Sequence, residues 1–380
     1  MDLDNLRVEI DGIDDQITEL FQKRMAIAEG VAKYKIENAL PVLNHARERD
    51  IIYRVCSNVD DNLKEYTKIL YNTIFDISRT HQSAMMIENS ETVCKIKKAV
   101  SQKLSKFPQN SVVACQGIEG AYSQQAAEKI FSMPKIMYMR TFDSVFNAVE
   151  KGLCDYGILP VENSTAGSVT QVYELMKKYN FHIARSVKLR VHHVLLGKKG
   201  ADLCEIKEIY SHEQAISQCG EFLKNNPHIK VNVCENTAVA AMIAARSGKK
   251  DIAALSSSDC ADIYNLAVIS DNVQNSDNNY TRFICISKDL EIFGSADKIS
   301  LIMTLDNKAG ALYSVLTKFA ILNLNLTKLE SRPISGTDFE FVFYFDVDGS
   351  VLDEKVLNLI GQLENTVGNF AFLGNYVEVN

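Results

Sequence analysis

LDNLRVEIDGIDDQITELFQKRMAIAEGVAKYKIEN (Leu3–Asn38) carries apolar residues at Leu3, Leu6, Ile10, Ile13, Ile17 and Leu20, then at Ile27, Val31 and Tyr34. Steps of three and four place them on one stripe of a single long helix, and that stripe is expected to face a core. Arg24 fills the gap in the stripe. A charge on such a face is costly unless paired, so either Arg24 faces a polar cavity that receives an anion, or it makes a salt bridge to Glu48 or another acid. Lys35 is eleven residues on, ~16 Å along the axis and on the same side, placed to bracket a small dianion with Arg24. Arg7 is seventeen residues before Arg24, ~25 Å away, too far to share one metabolite-sized ligand. It is a surface charge, or it serves a second copy of the site across a dimer of antiparallel helices.

The rest of the first ninety residues is helical as well: a break at Pro41, a short helix opening near Asn44, and a third helix from about Asp61 to Met86. Glu91–Asn110 (ETVCKIKKAVSQKLSKFPQN) is lysine-rich, loses a clear apolar stripe and reaches a proline near its end, and reads as helical overhang plus linker.

From Ser111 the pattern becomes short β runs followed by small polar residues and helices, the order expected of an α/β domain. VVACQ leads through GIEGAYS, YGILP through VENSTAGS, EIYSH to a helix near Gln214, and VNVCEN into TAVAAMIAARS. Helices opening on Ser, Thr, Asn or His point free amides and hydroxyls outward, which suits an anion without a metal. The last part runs ISLIMTL, the helix GALYSVLTKFAIL, LTKLESRP, FEFVFYFDV, the helix VLNLIGQLEN and FLGNYVEV, a βαββαβ order.

At 380 residues and 46% hydrophobic content the chain has room for two or three globular domains. A net charge of -7 with no basic tail argues against nucleic acid as the main partner and against an anionic membrane surface. Nine cysteines without CxxC spacing read as small buried hydrophobes of a reducing cytosol, with neither a disulfide framework nor a metal site. The acidic amphipathic start excludes a signal peptide, and no apolar run reaches a membrane span, so the expected location is cytoplasmic.

These residues carry a specific resemblance. The helical region resembles the all-helical chorismate mutases. The whole chain is similar to the bifunctional family joining chorismate mutase to prephenate dehydratase with a C-terminal ACT domain, on PVENSTAG (160–167), YSH (210–212), TRF (281–283), GAL (310–312) and ESRP (330–333). The resemblance implies an all-α mutase domain at 1–90 whose three helices intertwine in a homodimer or higher homo-oligomer, followed by a linker at 91–110. It implies a two-lobed, periplasmic-binding-protein-like dehydratase domain at 111–288 and a ferredoxin-like ACT domain at 297–378. No cofactor is expected.

Carried over, the mutase pattern falls on Arg7, Arg24, Lys35, Arg47, Glu48, Ser78 and Gln82. Rearrangement of chorismate to prephenate needs no nucleophile, only a compact conformer and stabilised charge on the breaking ether oxygen. Arginines suit the two carboxylates, and Lys35 and the Gln82 amide suit the ether oxygen. Asn44 stands where the family commonly has an acid, which puts one substrate-hydroxyl contact in doubt. For the dehydratase, which turns prephenate into phenylpyruvate, Thr281 is the donor to the leaving hydroxyl and Arg282 a carboxylate clamp. Phe283, Tyr122, Ser123, Asn163, Ser164, Thr165 and Thr237 complete the expected binding set. Thr237 and Ser123 read also as N-caps, Arg282 as a structural ion pair, His193 and His212 as structural histidines, and Glu162 as loop support. Gly310, Ala311, Leu312, Glu330 and Ser331 match the phenylalanine-sensing motifs of dehydratase-linked ACT domains, implying feedback inhibition by L-phenylalanine; Glu330 with Arg332 also reads as a surface ion pair. Two other readings stand beside this one: a monofunctional dehydratase whose helices serve only dimerisation, and a non-catalytic amino-acid or anion receptor.

Overall fold

The computed structural model describes residues 2–38, 40, 44–84, 90–102, 104, 106–334 and 341–379; Pro41 and the Met86 end of the third expected helix lie outside them. The chain forms two compact units, Met1–Lys98 with Leu301–Phe372, and Ala99–Ser300 with Leu373–Asn380.

In the first unit, helices α1 (Leu3–Glu37) and α2 (His45–Cys56) both pack on α3 (Lys64–Ala84), which follows a single 3-10 turn at Asp61–Leu63. Asn44 caps α2 through its side-chain oxygen, which accepts from the Arg47 N–H. The apolar stripe of α1 does not face this chain's core. Ile17, Leu20 and Ile27 are 57%, 65% and 69% exposed, and Ala28 and Ala32 are the buried residues of the helix. At 3.6 residues per turn, Ala28 lies about 40° round from Arg24 and Lys35 about 20°. Arg24 and Lys35 therefore sit on the border between the face turned to α3 and the uncovered stripe. Small alanines let α1 approach α3, and the large side chains are left without a partner in the protomer.

The expected linker at 91–110 is a packed helix over its first half. α4 (Glu91–Ser101) buries Val93, Ile96 and Ala99 at three-residue spacing. Its lysines occupy the other face, and their number hid a narrow apolar stripe.

The second unit holds a two-lobed α/β body. Its first lobe contains β1 (Val112–Gln116), α5 (Tyr122–Ile130), β2 (Lys135–Met139), α6 (Phe142–Glu150), β3 (Tyr156–Asn163), β4 (Gly167–Ser168), α7 (Thr170–Tyr179) and β5 (His182–Arg190). The chain then builds the second lobe from β6 (Val194–Gly197), β7 (Glu208–Ser211), α8 (Glu213–Gln218), α9 (Gly220–Lys224), β8 (Lys230–Val233), α10 (Thr237–Ser247), β9 (Ile252–Ser256), α11 (Asp259–Ile263) and β10 (Ala267–Ser270). It returns to the first lobe as β11 (Tyr280–Ser287). The lobes' sheets run β5-β11-β3-β1-β2, with β4 on β3, and β10-β6-β9-β7-β8. β1 is parallel to β2 and β3, while β11 inserts antiparallel between β3 and β5. That insertion lays the TRF triplet directly beside Glu162 and Asn163, with Thr281 opposite Asn163. The first lobe's core joins Val113, Ile158, Val187 and Cys285 to an aromatic group of Phe107, Phe131, Tyr156 and Phe293.

The remaining elements are β12 (Lys298–Leu305), α12 (Ala311–Ile321), β13 (Leu326–Pro333), β14 (Phe341–Asp348), α13 (Glu354–Thr366) and β15 (Phe370–Val379), the βαββαβ order read from the sequence. β13 and β14 pair antiparallel with Glu330 opposite Tyr344. Phe319 of α12 packs against Phe345 of β14 with ring centroids 5.7 Å apart. Within the first unit α12 and α13 both rest on α3. Gln362 donates to the Thr80 carbonyl at 2.9 Å, and Ser314 donates to Asp76 at 2.9 Å. In the second unit the end of β15 pairs parallel with β5, Val377 opposite Arg185.

Cys115, Cys154, Cys219, Cys260 and Cys285 are buried as expected of small hydrophobes, but Cys94 and Cys204 are exposed, and for them that reading does not hold.

Candidate active sites

A cavity of about 300 Å³ opens among α1, α2 and α3. Arg24 and Lys35 enter it from α1, Asn44, Arg47 and Glu48 from the start of α2, and Ser78, Arg79 and Gln82 from α3. Ser78 and Gln82 are one turn apart and buried, and the Gln82 amide donates to Ser78 Oγ at 3.1 Å while its carbonyl accepts from Lys35 Nζ at 3.3 Å. Arg24 Nη1 is buried and has no hydrogen-bond partner. The guanidinium carbon lies 5.8 Å from the centre of the Phe75 ring. Burial lowers the pKa of Arg24 from its ordinary value, partly offset by Tyr71 and Glu48; Lys35 is lowered by burial too, offset by Glu48. Desolvated cations with an orphaned donor are the electrostatic complement of an anion.

The salt bridge considered between Arg24 and Glu48 does not form. Glu48 is held by Arg79, which also grips Asp76. Asn44 spends its side-chain oxygen on capping α2, so the departure from an acid at this position is occupied by a structural duty. Arg7 does not line the cavity; it is exposed and pairs with Asp4 at 3.2 Å. Sequence reasoning missed Arg79 and Asp76. Their i,i+3 spacing on α3 was visible, but an acid and a base three apart also describe an ordinary solvated helix face.

In the second unit, a chain of polar side chains links the two lobes. The Asn163 side-chain oxygen accepts from the backbone N–H groups of Thr165 at 3.0 Å and Ala166 at 2.9 Å. Backbone N–H groups only donate, so the orientation of this amide is fixed. Its NH2 therefore donates, to Asn279 Oδ1 and to Thr281 Oγ1, both at 2.8 Å. Because Thr281 Oγ1 accepts that bond, its own proton is available to donate elsewhere. Gln218 at the end of α8 donates to Thr165 Oγ1 at 2.8 Å and accepts from Asn279 at 3.0 Å. Thr281, Asn163 and Thr165 are thus brought together, with Asn279 and Gln218 as members the sequence reading did not name. Ser164 bridges the same loop to the Asn278 carbonyl and the Tyr280 N–H.

His193 joins this chain through Nε2, 3.1 Å from Gln218 Oε1, and stacks edge-on against Tyr122, whose hydroxyl donates to the His192 carbonyl at 2.8 Å. Burial pushes the His193 pKa down to about 4, so the imidazole is neutral. The folded pKa lies below the unfolded value near 6.5. Its contribution to stability is complete above pH 6.5 and is lost as pH falls toward 4, by up to about 3 kcal/mol. We expect His193→Asn to remove part of the acid sensitivity of the melting temperature between pH 6.5 and 4; an unchanged pH profile would show that this imidazole does not govern it.

Other expected residues take different places. Side chains of successive strand residues point to opposite faces, so Arg282 leaves the face of Thr281. Its Nε lies 3.6 Å from Glu162, and against the upward push of burial its charge joins the larger effects of Lys188 and Lys298 in holding the Glu378 carboxylate below its ordinary pKa. This geometry gives it an ion-pair partner within the fold. Phe283 is buried in the first lobe's core. Ser123 donates to the Gln116 carbonyl, tying α5 to β1, and α5 is capped at Ala121. Asn236, not Thr237, caps α10, and Thr237 is its first residue. His212 caps α8 through Nδ1, a structural histidine as read.

In the βαββαβ part, Gly310 caps α12 with φ +85°, and a Cβ built there would meet nothing within 4 Å. The glycine is required by its left-handed backbone, not by crowding within this chain. Ala311 and Leu312 open α12. Glu330 on β13 is flanked by Lys328 at 3.3 Å and Arg332 at 2.7 Å, with Ser331 on the opposite face of the strand.

A model of prephenate dehydratase matches residues 113–291 and one of chorismate mutase type II matches residues 6–83. The bifunctional chorismate mutase/prephenate dehydratase of Enterobacter agglomerans is 31% identical, over 99% of this chain and 96% of its own. The chain belongs to the bifunctional chorismate mutase/prephenate dehydratase family. Arogenate dehydratase 2 of Petunia hybrida is 32% identical over 87% of this chain and 89% of that protein. The prephenate dehydratase of Arthrobacter aurescens, solved in complex with L-Phe, superposes with a TM-score of 0.63 at 25% identity, covering 70% of this chain and 90% of that one. Family membership removes the non-catalytic receptor reading. Among the described residues no helix is long and apolar enough to cross a membrane.

Proposed function

We propose that the helical cavity rearranges chorismate to prephenate and that the two-lobed body converts prephenate to phenylpyruvate. The observation that carries the first step is the buried, unpartnered Nη1 of Arg24 in a cavity shared with Lys35, Arg47 and Gln82. Arg24 and Arg47 take the two carboxylates of chorismate and hold it folded. Lys35 and the Gln82 amide donate to the ether oxygen as the C–O bond breaks and the new C–C bond forms. Lys35 now donates to Gln82, so substrate exchanges that bond for one to the ether oxygen.

In the second step the C–CO2 bond breaks, its electron pair enters the ring, and the ring hydroxyl leaves, taking up a proton to become water. Thr281 donates to that departing oxygen. Asn163, whose orientation the Thr165 and Ala166 amides fix, keeps the Thr281 proton directed away from itself. Such a prearranged donor stabilises charge that appears only as the bond breaks.

The uncovered stripe of α1 supports an intertwined homodimer, in which Arg7 of one chain completes the cavity of the other. The βαββαβ part serves as an ACT domain in which Gly310, Ala311, Leu312, Glu330 and Ser331 receive L-phenylalanine, its carboxylate at the N-terminal amides of α12 and its ammonium near Glu330. The cytoplasm, where free cysteines stay reduced, is the compartment this reading implies.

The deciding experiment incubates the purified chain with chorismate and follows prephenate and phenylpyruvate, with and without L-phenylalanine. Prephenate should rise and then give way to phenylpyruvate, with the second phase slowed by phenylalanine. No loss of chorismate ends the mutase reading. Prephenate that accumulates unchanged ends the dehydratase reading, and faster turnover of arogenate supplied in its place reassigns the substrate.

A further inference from the structure

Arg24 stays unpaired although a carboxylate, Glu48, lines the same cavity and is near enough to raise its pKa. Two mobile side chains of opposite charge in a half-dry pocket attract each other strongly. If Glu48 swung onto Arg24, it would neutralise the cation that must receive a substrate carboxylate. Something has to hold it back.

Arg79 does this geometrically. One arm of its guanidinium, Nη1, takes Glu48 Oε1, and the other, Nη2, takes Asp76 Oδ1. Asp76 is 4% exposed, and the same Oδ1 accepts from Ser314 Oγ of α12 at 2.9 Å. Lys318, one turn further along α12, is also buried and acts on Asp76 through its charge. A fork with both arms fixed has little rotational freedom, and the end that reaches Glu48 is set by the end that reaches Asp76. The row therefore runs from α12 through Asp76 and Arg79 to a side chain of the cavity.

We propose that Arg79 is a positioning residue of the mutase reaction: it holds the Glu48 carboxylate away from Arg24, and Asp76 with Ser314 and Lys318 of α12 sets the place of Arg79. This rests on the mutase reading of the cavity, so chorismate turnover by the unaltered chain is measured first; its absence would remove that reading, whereas the outcomes below concern Arg79 alone.

The test compares Arg79→Gln, Glu48→Gln and the double variant in the full-length protein, with chorismate for the mutase and prephenate for the dehydratase. Arg79→Gln should raise KM for chorismate about tenfold with a smaller fall in kcat, since freed Glu48 competes for Arg24 in the ground state. Dehydratase turnover should be unchanged. In the Glu48→Gln background the further change Arg79→Gln should have little effect, because no carboxylate remains to be held. Losses that simply multiply in the double variant, or an Arg79→Gln protein with unaltered mutase kinetics, overturn the proposal. Arg79→Lys keeps the charge without the fork and should fall between wild type and Arg79→Gln; should Arg79→Gln fail to fold, this variant in both Glu48 backgrounds gives the same comparison. Ser314→Ala, remote from the cavity, should raise KM about twofold to threefold with kcat preserved. No shift in KM for Ser314→Ala and Asp76→Asn alike overturns the α12 part of the assignment.

Discussion

Arg24→Ala is expected to lower mutase kcat/KM by about a hundredfold to ten-thousandfold while prephenate turnover changes little. The size follows from removing a charged donor that meets a carboxylate in a partly dry cavity, a loss of about 3–5 kcal/mol at about 1.4 kcal/mol per factor of ten. Arg24 makes no ion pair with Glu48 and leaves Nη1 unsatisfied, so its removal breaks no hydrogen bond from that atom. Folding should survive, and thermal melting of the variant would show it. The same substitution tests the second subunit. A mixture of unfolded and refolded Arg24→Ala and Arg7→Ala chains should regain mutase activity that neither has alone, because a mixed dimer contains one cavity with both arginines and one with neither. Mixtures as inactive as the separate variants would mean that Arg7 belongs to no partner's cavity, and that the exposed Arg7–Asp4 pair is its whole role.

How much of this was legible beforehand depended on whether a residue's partner lies nearby in sequence. The period of Leu3–Tyr34 gave the long helix, and Arg24 stood out as a cation among its apolar positions. The side to which that stripe turns was misread, because periodicity marks a face that must be covered and says nothing about which chain covers it. Here the cover within the protomer is limited to Ala28 and Ala32. The β11 strand was similarly hidden. YTRFICIS contains the charged Arg282, and only the long return of the chain from the second lobe lays it between β3 and β5, where Glu162 and Glu378 offset that charge. Asn279 and Gln218 were invisible for the same reason: an isolated amide carries no local pattern, and their roles exist only once the fold brings together positions 61 apart in the chain. Arg79 differs again. Its neighbours Asp76 and Glu48 were in view, yet spacing alone does not separate a solvated i,i+3 pair from a fork that spans two carboxylates.

Thr281→Ala should reduce dehydratase kcat by about a hundredfold to a thousandfold with little change in KM for prephenate, and leave the mutase intact. The magnitude is that of losing one oriented donor to a developing oxyanion. The split follows from timing: the ring hydroxyl acquires charge only as its bond to carbon breaks, so the bond from Thr281 strengthens in the transition state and contributes little to binding beforehand. The hydrogen-bond directions make this specific to Thr281. Asn163 can only donate to it, because two backbone amides already point at the Asn163 oxygen. Thr281 is therefore the member of this group with a proton directed outward, whereas Thr165 spends its own on Asn163 at 2.7 Å. Thr281→Ser preserves the hydroxyl and should retain most of the activity, separating the proton from the methyl group. Thr281→Val, close in shape but without a proton, should be as slow as Thr281→Ala. Full dehydratase activity in either would remove Thr281 from the departure of the hydroxyl, and a loss expressed wholly in KM would make it a ground-state contact of prephenate instead.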